Sequence, residues 1–143
     1  MERASKFSIN ELHEGMHFSF DYVLTEDAID AFAKFSGDIS PIHMDADFAK
    51  SRGFKGRVAH GAIFNALFSR FIGMCCPGES AILHSLNAKF HKPTYAGEKI
   101  VVSGEIDHVS DENKTILMTL TALHEPDGEV RVKAKAQVGL LGE

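Results

Sequence analysis

This 143-residue sequence has only two cysteines, no long uninterrupted hydrophobic run and no excess of basic residues. Its two cysteines, Cys75 and Cys76, are adjacent, so they form neither a disulfide framework nor a CxxC pair for zinc or redox chemistry. We interpret them as buried or half-buried thiols in a reducing compartment. The most apolar stretch, residues 59–76, is interrupted by polar and charged residues and is too short to span a membrane.

The charge balance is acidic. Fifteen Lys and Arg residues against twenty Asp and Glu residues give a formal net charge of −5. Such a chain is a poor general ligand for nucleic acid or for an anionic membrane surface. The N-terminal residues MERASK lead into no apolar signal segment, and the C-terminal LGE is not a peroxisomal address. We therefore expect a cytoplasmic protein that binds neither nucleic acid nor membrane.

The composition is that of one globular domain. Hydrophobic residues make up 44% and charged residues 24% of the chain, and a chain of this length buries roughly 68–70% of its unfolded surface. No internal repeat, linker or low-complexity tract divides it. We expect a single domain over residues 1–143.

The first half of the chain alternates between strand and helix signals. Aromatic residues alternate with polar ones over residues 17–24, which predicts a strand. Thr25 is a candidate N-cap for a helix that Gly37 ends in a left-handed turn. Residues 38–44 are expected to be irregular, and Asp45 is a candidate cap for a short helix over residues 46–51.

One predicted helix and four predicted strands fill the second half. The helix, residues 61–74, is apolar nearly all round, which indicates a buried helix ended by Pro77 and Gly78. The predicted strands cover residues 81–91, 99–109, 115–124 and 130–140. In the last strand, valine, alanine and leucine alternate with Arg131, Lys133, Lys135 and Gln137, which we expect to face water. Short turns between strands favour an antiparallel sheet, so we predict an α+β fold curled around one apolar helix.

A carboxylate and an imidazole lie five positions apart in a loop that the sequence stiffens. Ser40 precedes proline and is pushed to an extended conformation, while Pro41 fixes its own φ angle. The loop can therefore aim Asp38 and His43 at one small molecule such as water, the arrangement needed for general acid–base chemistry. Because Asp38 follows a helix C-terminus, we expect its pKa to be raised. The same spacing also fits a local backbone cap and a solvated histidine.

The start of the buried helix offers a second element. The first N–H groups of a helix lack partners within it, and Gly61 has no side chain to block a ligand. A backbone N–H here could hold the oxygen of a polarised carbonyl. The glycine could equally serve close packing.

Three segments resemble one known family. SGDISPIH (residues 36–43) with Asp45 and Phe48, VAHG (residues 58–61) and FHKPTYAGE (residues 90–98) resemble the MaoC-like dehydratases, also called R-specific enoyl-CoA hydratases. The resemblance covers residues 15–140. It implies a hotdog fold, an antiparallel sheet wrapped around a long central helix.

The resemblance also implies roles for three residues. Asp38 and His43 match the catalytic pair, and Gly61 matches the glycine whose amide holds the thioester oxygen. The implied reaction is reversible addition of water to a trans-2-enoyl thioester, giving an (R)-3-hydroxyacyl thioester. Ser40 stands where the family usually has asparagine, which bears on the geometry of the loop and on substrate preference.

The same resemblance implies no cofactor, a substrate carried by coenzyme A or acyl carrier protein, and a homodimer or dimer of dimers. A basic cluster near the predicted site could meet the phosphates of coenzyme A or an acidic carrier protein, or could be a solvated loop. This cluster consists of Lys50, Arg52, Lys55 and Arg57. No other histidine shows metal-ligand spacing, so no metal site is expected.

Two other functions stay open. A hotdog thioesterase would cleave the same substrates with a carboxylate and water, and a non-catalytic module would only bind the acyl thioester. The Asp38–His43 pair with Pro41 between its members favours hydration. Ser69 and Asn65, on the predicted helix, could support Asp38 or could simply pack.

Overall fold

A five-stranded antiparallel sheet and one apolar helix form the body of the computed structural model, which describes residues 2–142. The strands lie in the order β1-β3-β4-β5-β2. Their bounds are β1 (His17–Val23), β2 (Ala81–Phe90), β3 (Lys99–Ser110), β4 (Thr115–His124) and β5 (Val130–Leu140). The helices are α1 (Glu26–Ser36), α2 (Pro41–Met44), α3 (Ala46–Ser51) and α4 (Ala62–Arg70), with a 3₁₀ turn at Ile9–Glu11.

The inner face of the sheet is the apolar face that the alternating pattern predicts. In β4, Ile116, Met118 and Leu120 are buried, and their neighbours on β5 are buried with them. Side chains on alternate residues of a strand point to opposite faces, so each strand supplies every second residue to the core. The antiparallel α+β prediction is confirmed, and the sheet needs a cover on this face only.

Helix α4 is that cover. Phe64 and Phe68 are buried between the helix and the sheet. The chain continues past Arg70 as a π-helical turn, Phe71–Cys75, so helical winding covers almost all of the predicted range. Gly104 on β3 lets this turn approach closely, because a Cβ there would lie 2.4 Å from the ring of Phe71. A sheet curled around this helix is the hotdog fold that the resemblance implies.

One face of α4 differs from the prediction of a helix buried all round. Ala62, Ala66 and Ser69 recur at helical spacing and are exposed. Their small side chains made the helix look uniformly apolar in the sequence. Nothing within residues 2–142 covers this stripe, so the single chain leaves it open.

The predicted helix caps position the segment before α4. Thr25 Oγ1 accepts a hydrogen bond from the backbone of Ala28, and Gly37 ends α1 with a φ of 78°. Asp45 caps α3 by accepting bonds from two backbone N–H groups. The expectation of an irregular segment over residues 38–44 is wrong in part, because α2 forms one helical turn. Pro41 stands at its start, where a missing N–H costs nothing.

Arg131 does not face water as the alternation of β5 predicts. It is 6% exposed and forms a two-pronged ion pair with Glu98, at 3.0 and 2.8 Å. Partial burial alone would raise the pKa of Glu98, but hydrogen bonds from Arg131 and from the backbone of Tyr95 lower it. Arg131 also donates to the carbonyl oxygen of Pro93, which fixes the turn before β3. On an alternating strand, a basic residue among the polar positions is predicted from sequence to face solvent. Burial of Arg131 depends on its partner Glu98, which lies in a turn distant in the chain.

None of the helices within residues 2–142 is long and apolar enough to cross a membrane.

Candidate active site

Asp38 stands immediately after the left-handed end of α1. Its backbone N–H donates to Ser36 Oγ (3.1 Å), which itself donates to the carbonyl oxygen of Phe32 (2.7 Å). The chain direction at Asp38 is therefore fixed by the last turn of the helix. The carboxylate projects into the opening beside α2, and about half of its side chain (49%) is exposed.

Ser40 binds the carboxylate of Asp38 twice. Its Oγ and its backbone N–H both donate to Oδ1, at 2.8 and 3.2 Å. The hydroxyl and the N–H of Ser40 together lower the pKa of Asp38. The expectation that the helix end raises this pKa is wrong, because two direct hydrogen bonds outweigh a partial charge that acts on a solvated group.

His43 lies on α2 with one ring nitrogen already engaged. Its Nδ1 is 2.6 Å from the carbonyl oxygen of Val58. A carbonyl only accepts, so Nδ1 carries a proton, and in the neutral ring Nε2 presents a lone pair. Nε2 lies 3.7 Å from Oδ2 of Asp38. The structure thus brings the two predicted residues together, with both acceptors facing one gap.

The gap between these acceptors suits a water molecule. A separation of 3.7 Å is too long for a direct hydrogen bond, and a neutral imidazole nitrogen and a carboxylate oxygen cannot bond to each other without a proton. A water that donates one hydrogen to each would satisfy both. Removing a proton from that water is the general-base step predicted from the sequence.

Arg57 holds the carbonyl end of α2 against α1. Its Nε donates to the carbonyl oxygen of His43 (2.7 Å), and its guanidinium is paired with Asp30. The side chain is mostly buried by these contacts. One of the four cations in the predicted basic cluster therefore serves the loop, while Lys50 and Lys55 remain at the surface.

His60 is a site residue that the sequence reasoning did not single out. It is 2% exposed, and its Nε2 lies 2.8 Å from the carbonyl oxygen of Asp38. Its ring stacks on His43 with centroids 3.9 Å apart, while Phe32 lies on it at 4.7 Å. The available signal was its position beside Gly61 in VAHG, but nothing in the local sequence shows that it reaches Asp38.

Gly61 stands at the N-terminal end of α4, as predicted. Within residues 2–142 its backbone N–H has no hydrogen-bond partner, as expected for the first turn of a helix. A Cβ at this position would lie 3.0 Å from the ring of Phe90 on β2. Among the described residues, the glycine therefore leaves its N–H without a partner and lets an aromatic side chain approach.

The structure does not join Ser69 or Asn65 to Asp38. Ser69 is exposed on the open face of α4. Asn65 buries its Oδ1, which finds no partner within the described part of the chain. Neither residue contributes to the hydrogen bonds that hold Asp38, which involve Ser36, Ser40 and His60.

Asp38, His43 and His60 are close enough to suggest a metal site, because one ligand atom from each lies within 4.8 Å of the others. The stacking of the two rings opposes this. Imidazole lone pairs lie in the ring plane, and the planes differ by only 24°. Their lone pairs therefore lie in two nearly parallel planes, with ring centres 3.9 Å apart, and do not converge on one ion. This arrangement suits acid–base chemistry better than metal binding.

The chain resembles known proteins of one family. The sequence model of the family described as "MaoC like domain" matches residues 9–126. An (R)-specific enoyl-CoA hydratase from Aeromonas caviae is 30% identical over 110 residues, which are 77% of this chain and 81% of that protein. A mitochondrial 3-hydroxyacyl-[acyl-carrier-protein] dehydratase from Arabidopsis thaliana is 34% identical over 79 residues, 55% of this chain and 46% of that one.

A solved structure extends the likeness to the whole fold. An unliganded R-hydratase from Pseudomonas aeruginosa superimposes with a TM-score of 0.90 at 26% identity. The match covers 98% of this chain and 89% of the other.

Proposed function

The chain belongs to the MaoC-like domain family, and we propose on this basis that it is a hydro-lyase acting on trans-2-enoyl thioesters. In the forward direction it adds water across the 2,3 double bond and forms the (R)-3-hydroxyacyl thioester; in reverse it dehydrates that product. The observation that carries this proposal is the placement of Asp38 Oδ2 and His43 Nε2 at 3.7 Å around one gap.

Asp38 and His43 would both act on the attacking water molecule, in different roles. The lowered pKa of Asp38, caused by Ser40, keeps its carboxylate charged and makes it a weak base that orients the water. His43 Nε2 takes one proton from the water as its oxygen forms the bond to C3. The imidazolium then returns a proton to C2, so the substrate gains one hydroxyl and one hydrogen. His43 Nδ1 keeps its bond to Val58 throughout.

Gly61 would stabilise the charge that the attack creates. Addition at C3 moves electrons onto the thioester oxygen. The free N–H of Gly61, at the positive end of α4, is the donor suited to bind that oxygen. Loss of one such donor in other enzymes raises the barrier by about 2.7–4 kcal/mol.

The carrier of the acyl group is proposed to meet Lys50 and Lys55. Both line a surface cavity of about 410 Å³ beside α3, together with Arg57 and Tyr95. Arg57 links this cavity to the carbonyl oxygen of His43. Phosphates of coenzyme A, or the acidic surface of an acyl carrier protein, would be attracted to the ammonium groups of these two exposed lysines. The proposed reaction requires no dedicated cofactor.

A second copy of the chain is the proposed partner. Leu83 and Phe90 point to the core side of β2, yet they are 40% and 53% exposed because β2 is the edge of the sheet. Helix α4 contacts this edge strand, and the Phe90 ring lies against Gly61 at the N-terminal end of the helix. Exposed apolar residues on a sheet edge invite pairing with another chain. A homodimer would cover these residues and enclose the half-exposed Asp38.

The proposed reaction is tested with crotonyl-CoA and purified protein. The enoyl absorbance should fall while a thiol reagent in a parallel sample detects no free coenzyme A. Chiral analysis of the product should give the (R)-3-hydroxy isomer. Thiol release without loss of the enoyl group would replace the hydratase by a thioesterase. No reaction with crotonyl, longer enoyl or carrier-protein-bound substrates, despite measurable binding of them, would favour a non-catalytic module.

A further inference from the structure

His60 touches both members of the acid–base pair, but through different parts of its ring. The Nε2 edge lies 2.8 Å from the backbone carbonyl oxygen of Asp38, and the ring face stacks on His43 at 3.9 Å. The ring of Phe32 also contacts His60, with centroids 4.7 Å apart. Among residues 2–142, no other side chain of the site both bonds to the Asp38 backbone and stacks on the His43 ring.

The hydrogen bond fixes which nitrogen of His60 carries a proton. Because the carbonyl of Asp38 only accepts, Nε2 must donate. In the neutral ring, Nδ1 is then an acceptor, and this atom is buried without a partner in the described part of the chain. A buried polar atom without a hydrogen bond lowers stability relative to an apolar atom of the same shape. The position therefore keeps a histidine that packing alone does not require.

We propose that His60 is a positioning residue that sets the distance between Asp38 and His43. Its edge holds the backbone of Asp38, and its face fixes the plane of the His43 ring. The gap of 3.7 Å between Oδ2 and Nε2 follows from these two restraints. His60 does not touch the substrate or the water in this role. The inference rests on the proposed hydration reaction for its consequence, since displacement of a reacting group by about 1 Å can cost on the order of 100-fold in rate.

Two substitutions separate positioning from simple packing. His60→Phe keeps a flat ring against His43 but removes the donor to Asp38 and the unpartnered acceptor. It should lower kcat on the order of 100-fold with little change in KM, while the Tm stays equal or rises. His60→Gln keeps an amide N–H that can reach the carbonyl oxygen of Asp38. It should recover roughly tenfold of the lost kcat even if its Tm is lower.

His17→Phe is the matched control. His17 is exposed on β1 and lies outside the site, so the same chemical change there should leave kcat and KM unchanged. A His60→Phe protein with wild-type kcat would overturn the proposal. So would loss of kcat in both His60 variants in proportion to loss of Tm, because that pattern describes a structural residue only.

Amide hydrogen exchange gives a test that does not depend on turnover. The backbone N–H groups of Ser40 and His43 are bonded within the loop, to Asp38 Oδ1 and to the Ser40 carbonyl oxygen. Both N–H groups should exchange faster in His60→Phe than in the wild type. In His60→Gln their exchange should be slower than in His60→Phe and closer to the wild-type rate. Unchanged exchange in His60→Phe would overturn the proposal. If the wild type hydrates no enoyl thioester but exchange responds as stated, the proposed reaction fails and the positioning role stands.

Discussion

Ser40 Oγ donates to Asp38 Oδ1 at 2.8 Å, and the backbone N–H of the same residue donates to the same oxygen at 3.2 Å. Ser40 therefore organises the loop around the carboxylate. Its bonds also decide the electrostatics, since they lower the pKa of Asp38 although it follows a helix C-terminus. Local donors prevail here because water screens the partial charge of the helix end.

Removing the hydroxyl in Ser40→Ala should raise the pKa of Asp38. The side-chain bond from Ser40 is the main cause that lowers this pKa, so it should rise in the variant. NMR titration of the Asp38 carboxyl carbon should therefore show protonation at higher pH in Ser40→Ala, while Ser40→Thr, which keeps a hydroxyl, stays close to the wild type. The titration is read at Asp38 itself because His43 must also be unprotonated to act as the base, so the rate profile does not report Asp38 alone. Identical titration curves in all three proteins would contradict the assignment of the Ser40 hydroxyl as the donor that lowers this pKa.

Asp38→Asn and His43→Gln should each abolish most of the activity without unfolding the protein. Asp38 is about half exposed, so Asp38→Asn changes packing little. The His43 side chain is 15% exposed and stacks on His60, so His43→Gln should also lower the Tm while the protein stays folded. General acid–base groups contribute typically 10²–10⁴-fold, and we expect losses of about this size. Circular dichroism and thermal melting serve as controls for folding. Near-normal turnover in either variant would refute the role of that residue.

A methyl group at position 61 should impair the oxyanion donor indirectly. The Cβ of Gly61→Ala would meet the ring of Phe90 at 3.0 Å, and that half-exposed ring can rotate away. The protein should fold, but the methyl group and the displaced ring would crowd the N–H. We expect kcat/KM to fall by about tenfold to 1000-fold. In the double variant with Phe90→Ala, stability should recover more fully than activity, which separates the packing clash from the blocked donor.

Charge reversal at Lys50 and Lys55 tests the proposed carrier contact. The double variant Lys50→Glu, Lys55→Glu should raise KM for crotonyl-CoA severalfold, and the effect should weaken as salt is added. Crotonyl-N-acetylcysteamine has the same reacting group but no phosphate, so its kcat/KM should be unchanged. Equal losses for both substrates would show that the lysines act on the fold of α3 and not on the carrier.

A carboxylate on the exposed edge should separate the proposed homodimer. Leu83→Glu places charge on the core side of β2, where a second copy is expected to pack. Light scattering should show a monomer, and activity should fall because Asp38 loses its cover. Leu117→Glu is the control, since Leu117 is similarly exposed (45%) but lies on the outer face of β4. A dimer that survives Leu83→Glu but not Leu117→Glu would place the interface on the outer face.

The sequence by itself determined most of the elements and proposed the acid–base pair. Period-two alternation predicted β4 and β5 to the residue, and the caps Thr25, Gly37 and Asp45 marked the helix ends. These signals depend on neighbours in the chain, which is why they can be read from it. Asp38 and His43 lie on one short segment, so their proximity was also a local property.

Only the tertiary structure decided the features that depend on distant partners. Arg131 is buried because Glu98 comes to it from another turn, and alternation along β5 contains no trace of that contact. One face of α4 is open because no other part of residues 2–142 packs against it. The sequence of the helix alone does not show this. His60 is hydrogen-bonded to Asp38, which lies 22 positions away in the chain. The carbonyl oxygen of Val58, 15 positions from His43, determines that Nδ1 of His43 carries a proton. Spacing in the sequence can propose a catalytic pair, but the bonds that orient it are made by residues that folding brings beside it.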